Sequence, residues 1–175
     1  ATVRNVEWIT RSMGRLFPAQ WAAFAAGAGT GRDGSLVDAY ARLLADPDPA
    51  VRDKAARDWC DWEDSHVAVT AGHKPSTRYR DPRFRLLFAR LVTHYWRHGA
   101  WLDDGELLRG AATLAGIPGA LIHGRLDVSS PLETAWHLSR HWTASELHVL
   151  DDAGHGGGDT LLDIIVGSLN RFSGK

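Results

Sequence analysis

The residues from 118 to 155 constrain this chain most. They begin Pro118-Gly119-Ala120-Leu121-Ile122-His123-Gly124-Arg125-Leu126-Asp127-Val128-Ser129-Ser130-Pro131 and end in Asp151-Asp152-Ala153-Gly154-His155. Ala120, Leu121 and Ile122 form a short apolar run bounded by turn residues, which predicts a buried parallel strand. The chain then turns at Gly124 and presents Asp127 just past the strand end. Ser130 has the chemistry of an N-cap, Pro131 suits the first helical position, and Glu133 completes a Ser-x-x-Glu capping box. A helix to about His141 is expected, then a second strand over residues 146–150, with Gly154-His155 in the loop beyond it. An Asp after one parallel strand and a His after the next both lie at carboxyl ends, where open α/β sheets keep their chemistry.

Upstream, the pattern changes to helices. Pro18 opens one, with Trp21, Phe24 and Ala25 on a single face. Four glycines between Gly27 and Gly34 predict a flexible connection. Ser35 caps a second helix carrying Leu36, Tyr40, Leu43 and Leu44. Asp46-Pro47 stops it, and Asp48-Pro49 starts a third that runs to about Glu63, with Val51, Ala55, Trp59 and Trp62 as its apolar side. Gly72, Pro75 and Ser76 predict a loop over residues 65–80. A helix from about Pro82 to Arg97 follows, with Phe84, Leu87, Phe88, Leu91 and Tyr95 at helical spacing. Arg83, Arg90 and Arg97 recur every seven residues and read as a solvated face. A final helix should pack Leu161, Leu162, Ile165, Leu169 and Phe172 onto the sheet. The layout predicts a helical domain over residues 1–110 and a strand-bearing segment over 111–175.

Several classes of function are excluded or disfavoured. A net charge of −1 gives no electrostatic case for nucleic acid or a membrane surface. No apolar run approaches the roughly 20 residues of a membrane helix, and the N-terminus lacks the layout of a secretion signal. Cys60 alone cannot form an internal disulfide and fits a reducing compartment, so a cytoplasmic location is expected. His148, Asp151, Asp152 and His155 fall on different faces by strand alternation and do not predict a metal site. Gly156-Gly157-Gly158 lacks the Lys-Ser/Thr of a phosphate loop.

The phrases His123-Gly124-Arg125-Leu126-Asp127, Pro131-Leu132-Glu133, Ala135-Trp136 and Ala153-Gly154-His155 resemble the end of an α/β-hydrolase. Among those they most resemble the proline iminopeptidase (prolyl aminopeptidase) branch. The resemblance continues through Arg15-Leu16-Phe17-Pro18, Trp59-Cys60-Asp61-Trp62-Glu63, Phe88-Ala89-Arg90 and His94-Tyr95, and so covers most of the chain. It implies an α/β fold: two parallel strands with helices, preceded by an all-helical cap domain. It also implies that Asp127 and His155 are the second and third members of a Ser-Asp-His triad, in the order nucleophile, acid, histidine. No Gly-x-Ser-x-Gly elbow occurs in these 175 residues. The resemblance therefore covers a cap and a C-terminal catalytic segment, without the part that bears the nucleophile.

By the same resemblance, Glu63 matches a glutamate that holds the substrate's free α-amino group. Trp59 and Trp62 would line the pocket and add cation–π attraction. A solvated acid at a helix end, beside tryptophans of a helical core, is the competing reading. The family's second amine-binding glutamate corresponds here to Val92. The resemblance implies release of an N-terminal residue, proline, from a peptide or small amide, with no metal or organic cofactor. Another amide or ester substrate is one alternative, and a non-catalytic assembly module another. A complementing N-terminal hydrolase fragment or a second copy of the chain is the expected partner, because two parallel strands alone leave an apolar edge open.

Overall fold

Helix boundaries follow the proline and Asp/Ser punctuation closely. In the computed structural model, which describes residues 3–30, 34–67, 75–156 and 158–174, the chain divides into two compact units, one up to Asp104 and one from Gly105 onward.

The first unit is helical: α1 Val3–Thr10, α2 Pro18–Ala28, α3 Leu36–Leu43, α4 Pro49–Val67 and α5 Pro82–Arg97. Ser35 Oγ accepts the Asp38 N–H at 3.2 Å, Asp48 Oδ1 the Ala50 N–H at 2.8 Å, and Asp81 Oδ1 the Arg83 N–H at 2.9 Å. Each satisfies an amide that the first helical turn leaves without a partner. Gly29 ends α2 at φ 64°, a left-handed conformation suited to glycine. Two expectations are corrected. α4 continues one turn beyond Glu63, and the supposed loop carries a 3₁₀ turn at Thr77–Arg80. The glycine-rich connection at 31–33 and the loop at 68–74 lie outside the described residues.

What holds these helices together is a stack of aromatic rings. Phe24 lies flat on Tyr40 with centroids 4.6 Å apart, and nearly parallel to Trp62 at 5.4 Å. Trp59 meets Phe24, Tyr40 and Trp96 edge-on. The Tyr40 hydroxyl donates to the Phe24 carbonyl at 2.7 Å, so even its polar atom is satisfied inside. Arg85, buried, donates to Asp53 at 2.9 Å and to the Tyr79 carbonyl at 2.8 Å, tying α5 to α4 and to the 3₁₀ turn. The arginine stripe is less passive than its spacing implies. Arg90 is exposed, yet its Nε donates to the Leu44 carbonyl at 2.9 Å, and Arg97 approaches Asp38 at 3.4 Å.

The second unit contains α6 Glu106–Gly110, β1 Gly119–Gly124, α7 Leu132–His141, β2 Ser145–Leu150 and α8 Gly158–Phe172. β1 and β2 pair in parallel, from Gly119 opposite Ser145 to Gly124 opposite Leu150. The intended capping box does not form. Pro131 is itself the cap residue of α7, and no side chain caps this helix. α8 packs on β1, but its apolar residues divide between two faces. Leu161 and Ile165 are half-buried, whereas Leu162, Val166, Leu169 and Phe172 remain exposed. Among the described residues, no helix is long and apolar enough to cross a membrane.

The aromatic stack should dominate the stability of the first unit. Phe24→Ala is expected to cost about 3–5 kcal/mol, and Tyr40→Phe, which removes only the hydroxyl bond, about 1 kcal/mol. Urea denaturation followed by tryptophan fluorescence measures both. Equal losses would mean that the core is not built around this stack.

Candidate active site

The parallel register brings the ends of β1 and β2 side by side, and the loops that follow are bonded to each other. The Arg125 N–H donates to the Leu150 carbonyl at 2.8 Å, and the Leu126 N–H to the Ala153 carbonyl at 2.9 Å. Gly124 makes this crossing possible. A Cβ there would lie 2.3 Å from the Ala153 carbonyl oxygen and 2.5 Å from that of Gly154, so no larger residue fits without moving backbone.

Asp127 and His155 meet directly across these loops. His155 Nδ1 lies 2.8 Å from Asp127 Oδ2. An ionised carboxylate only accepts, so the shared proton belongs to His155 Nδ1. Asp127 Oδ1 accepts from the Ser129 hydroxyl at 2.8 Å and from the Ser130 N–H at 3.0 Å. Both carboxylate oxygens are therefore held. Burial works to push the Asp127 carboxyl up. The hydrogen bonds from His155, Ser129 and Ser130, together with the charge on His155, outweigh it and hold the group below its ordinary 3.8. Asp127 is buried, with 7% of its side chain accessible, while His155 keeps 54%.

Three supporting contacts were not anticipated from sequence: Ser129, Ser130 and His123, whose Nε2 lies 2.6 Å from the Ser130 carbonyl oxygen. The spacing Asp127-Val128-Ser129-Ser130 carries the signal for two of them. An Asp bonding its own backbone a few residues on is a common turn device. Ser130 serves Asp127 through its backbone instead of capping α7. Arg125 bridges to Asp151 at 2.5 Å on the exposed rim, and His148 Nε2 sits 3.2 Å from Glu146 Oε2. Among the described residues, no group of three or more His, Cys, Asp or Glu side chains gathers to hold a metal ion.

In the first unit, Glu63 lies one helical turn beyond Trp59. Its Oε1 accepts the Trp59 indole N–H at 3.2 Å, and its Oε2 is 3.5 Å from His66 Nε2. The carboxylate is largely enclosed, with 12% of the side chain accessible. Trp59 and Trp62 are both buried in the aromatic stack, and among the described residues the Trp62 indole nitrogen finds no acceptor. Burial, then the negative charge of Glu63, pushes the Cys60 thiol up to about 12, so Cys60 is an inert thiol here.

The sequence places this arrangement among known proteins. No protein-family model matches the chain. It is 41% identical over 180 residues to the "Probable proline iminopeptidase" of Streptomyces coelicolor, covering 99% of this chain and 55% of that protein. It is 34% identical to the proline iminopeptidases of Xylella fastidiosa, over 86% of the chain, and Neisseria gonorrhoeae, over 85%. The mixed helix and strand architecture, with its parallel pair, is compatible with a segment of an α/β-hydrolase. The chain belongs to the proline iminopeptidase branch of that class. It spans about half the length of the curated relatives it matches.

A depressed carboxyl links stability to pH in a definite direction. With its folded value below its unfolded one, Asp127 stabilises the protein fully above about pH 4 and progressively less as the pH falls further. Asp127→Asn is therefore expected to lower stability by about 1–3 kcal/mol at neutral pH, with the gap to the parent narrowing in acid. Denaturation curves at several pH values check this. A gap that widens in acid would contradict the assignment.

Proposed function

We propose that the chain is the cap and C-terminal catalytic segment of a serine hydrolase of the proline iminopeptidase type. In this reading it releases an N-terminal residue, proline, from a peptide or small amide. The observation that carries the proposal is the 2.8 Å bond between His155 Nδ1 and Asp127 Oδ2, made where two parallel strands end. With Nδ1–H engaged by the carboxylate, the lone pair of His155 is at Nε2, the nitrogen that takes a nucleophile's proton. Asp127 fixes the ring's tautomer and stabilises the imidazolium formed when the proton arrives. A serine from sequence outside these 175 residues attacks the carbonyl that follows the N-terminal residue. His155 then returns the proton to the departing amine, and water repeats the cycle on the acyl-enzyme.

Glu63 holds the substrate's ammonium in this reading, and the helical unit acts as the cap. The support is chemical: an enclosed carboxylate, oriented by the Trp59 N–H and set among aromatic rings, suits a small cation. The partner that completes the enzyme covers the open sheet edges and the exposed face of α8. The exposed apolar side chains of Leu162, Val166 and Leu169 there support such a covering. Val92 favours a second reading. With an apolar residue where the family carries its second amine-binding glutamate, the substrate is a different amide or ester, and the ammonium contributes less to binding.

A serine-directed fluorophosphonate probe, native mass spectrometry and a proline arylamide assay separate these readings. The chain alone should show no labelled serine and no turnover. Joined to a nucleophile-bearing N-terminal segment, it should label and hydrolyse the arylamide, and His155→Ala or Asp127→Asn should each lower kcat about 10⁴-fold. Glu63→Gln should raise KM more than it lowers kcat. Turnover that survives His155→Ala would sink the proposal, and turnover of arylamides lacking a free amine would select the second reading.

A further inference from the structure

We infer that His123 is a positioning residue for the Asp127–His155 pair, acting through Ser130. The inference rests on reading Asp127 and His155 as a working pair, and it assigns a role to a histidine that the triad chemistry does not use. α7 begins at Leu132, and its first turn uses the Pro131 carbonyl, which accepts from Thr134 at 3.0 Å. The Ser130 carbonyl therefore lies outside the helical ladder and takes its hydrogen bond from His123 Nε2 at 2.6 Å. A carbonyl oxygen only accepts, so His123 must carry its proton on Nε2. The same serine gives its N–H to Asp127 Oδ1 at 3.0 Å. Ser130 is thus gripped at both backbone groups, by the strand histidine on one side and the buried carboxylate on the other.

This geometry transmits rigidity from the sheet to the site. His123 lies on β1 opposite Val149 of β2, with backbone pairing on either side of it in the register. The His123 clamp and the bonds to Asp127 are among the contacts that fix residues 128–131 relative to the strand end. With the clamp released, the Ser130 amide drifts from Oδ1, the carboxylate gains freedom to rotate, and the bond from Oδ2 to His155 loosens. Catalytic constellations hold their geometry through such supporting contacts.

Nitrogen-15 NMR of the whole 175-residue chain tests this without turnover. In the parent, His123 should show the Nε2–H tautomer, and His155 an Nδ1–H signal that Asp127→Asn abolishes. His123→Phe keeps the ring shape and removes the donor. It should speed exchange of the His155 Nδ1 proton about tenfold, the worth of one hydrogen bond, while the β1 and β2 amides stay protected. His123→Gln, whose amide nitrogen reaches the position of Nε2, should restore slow exchange. A His155 signal present in the parent, lost in Asp127→Asn and unmoved by His123→Phe would overturn the clamp while leaving the pair intact. A parent with no Asp127-dependent signal would overturn both. If His123→Phe disrupts the sheet, the tautomer decides: an Nδ1–H form of His123 in the parent excludes donation to Ser130 and ends the inference.

Discussion

The close crossing of two loops at Gly124 is the constraint on which the site depends. Parallel strands end on the same side of a sheet, so their following loops emerge together. Emergence alone leaves Asp127 and His155 uncorrelated, because each sits several residues beyond its strand. The amides of Arg125 and Leu126, donating to the carbonyls of Leu150 and Ala153, join the loops into one piece of backbone. That junction requires an absent Cβ at residue 124, where any side chain would collide with the Ala153 and Gly154 carbonyls. Sheet register, a glycine and two backbone bonds thus set the separation of the two side chains before either makes a contact.

The same dependence explains what could be read from the sequence and what could not. Helix starts were legible because Ser35, Asp48, Pro18, Pro49 and Pro82 act on their immediate neighbours. The strand pair was legible from apolar runs and turn residues. The capping box failed because Asp127 competes for the Ser130 backbone from three residues upstream, which leaves Pro131 to start α7. His123 gave no signal, since its acceptor is a backbone carbonyl whose availability depends on that failed cap. Asp127 and His155 were candidates from motif context. Their 2.8 Å bond belongs to the three-dimensional crossing. The arginine at 85 was missed for a similar reason: its partners Asp53 and Tyr79 come from separate elements, and periodicity within one helix does not report them.

On the proposed reading, Glu63 lets one helix serve packing and recognition together. α4 buries Trp59 and Trp62 in the aromatic stack, and the helical repeat then places Glu63 one turn from Trp59 with its carboxylate against that indole N–H. The bond satisfies a buried donor and orients an acid in the same step. Removing the acid would therefore strand the Trp59 N–H as well as delete a charge. A role in holding an ammonium and a role in the core are not exclusive readings of this residue. They are coupled through a single hydrogen bond.

Asp127 and His155 divide burial and exposure in the way the proposed proton transfer requires. The carboxylate is enclosed, and three donors keep it ionised against the desolvation that would otherwise protonate it. The imidazole is half open, as a group must be if it is to meet a nucleophile and a leaving group in turn. That openness has a structural counterpart in α8. One apolar face of the helix lies against β1, and the other carries Leu162, Val166 and Leu169 into solvent. A helix apolar on both sides belongs between two layers. On the proposed reading, the surface that leaves His155 accessible and the surface that leaves α8 uncovered have one cause: both await the polypeptide that brings the serine.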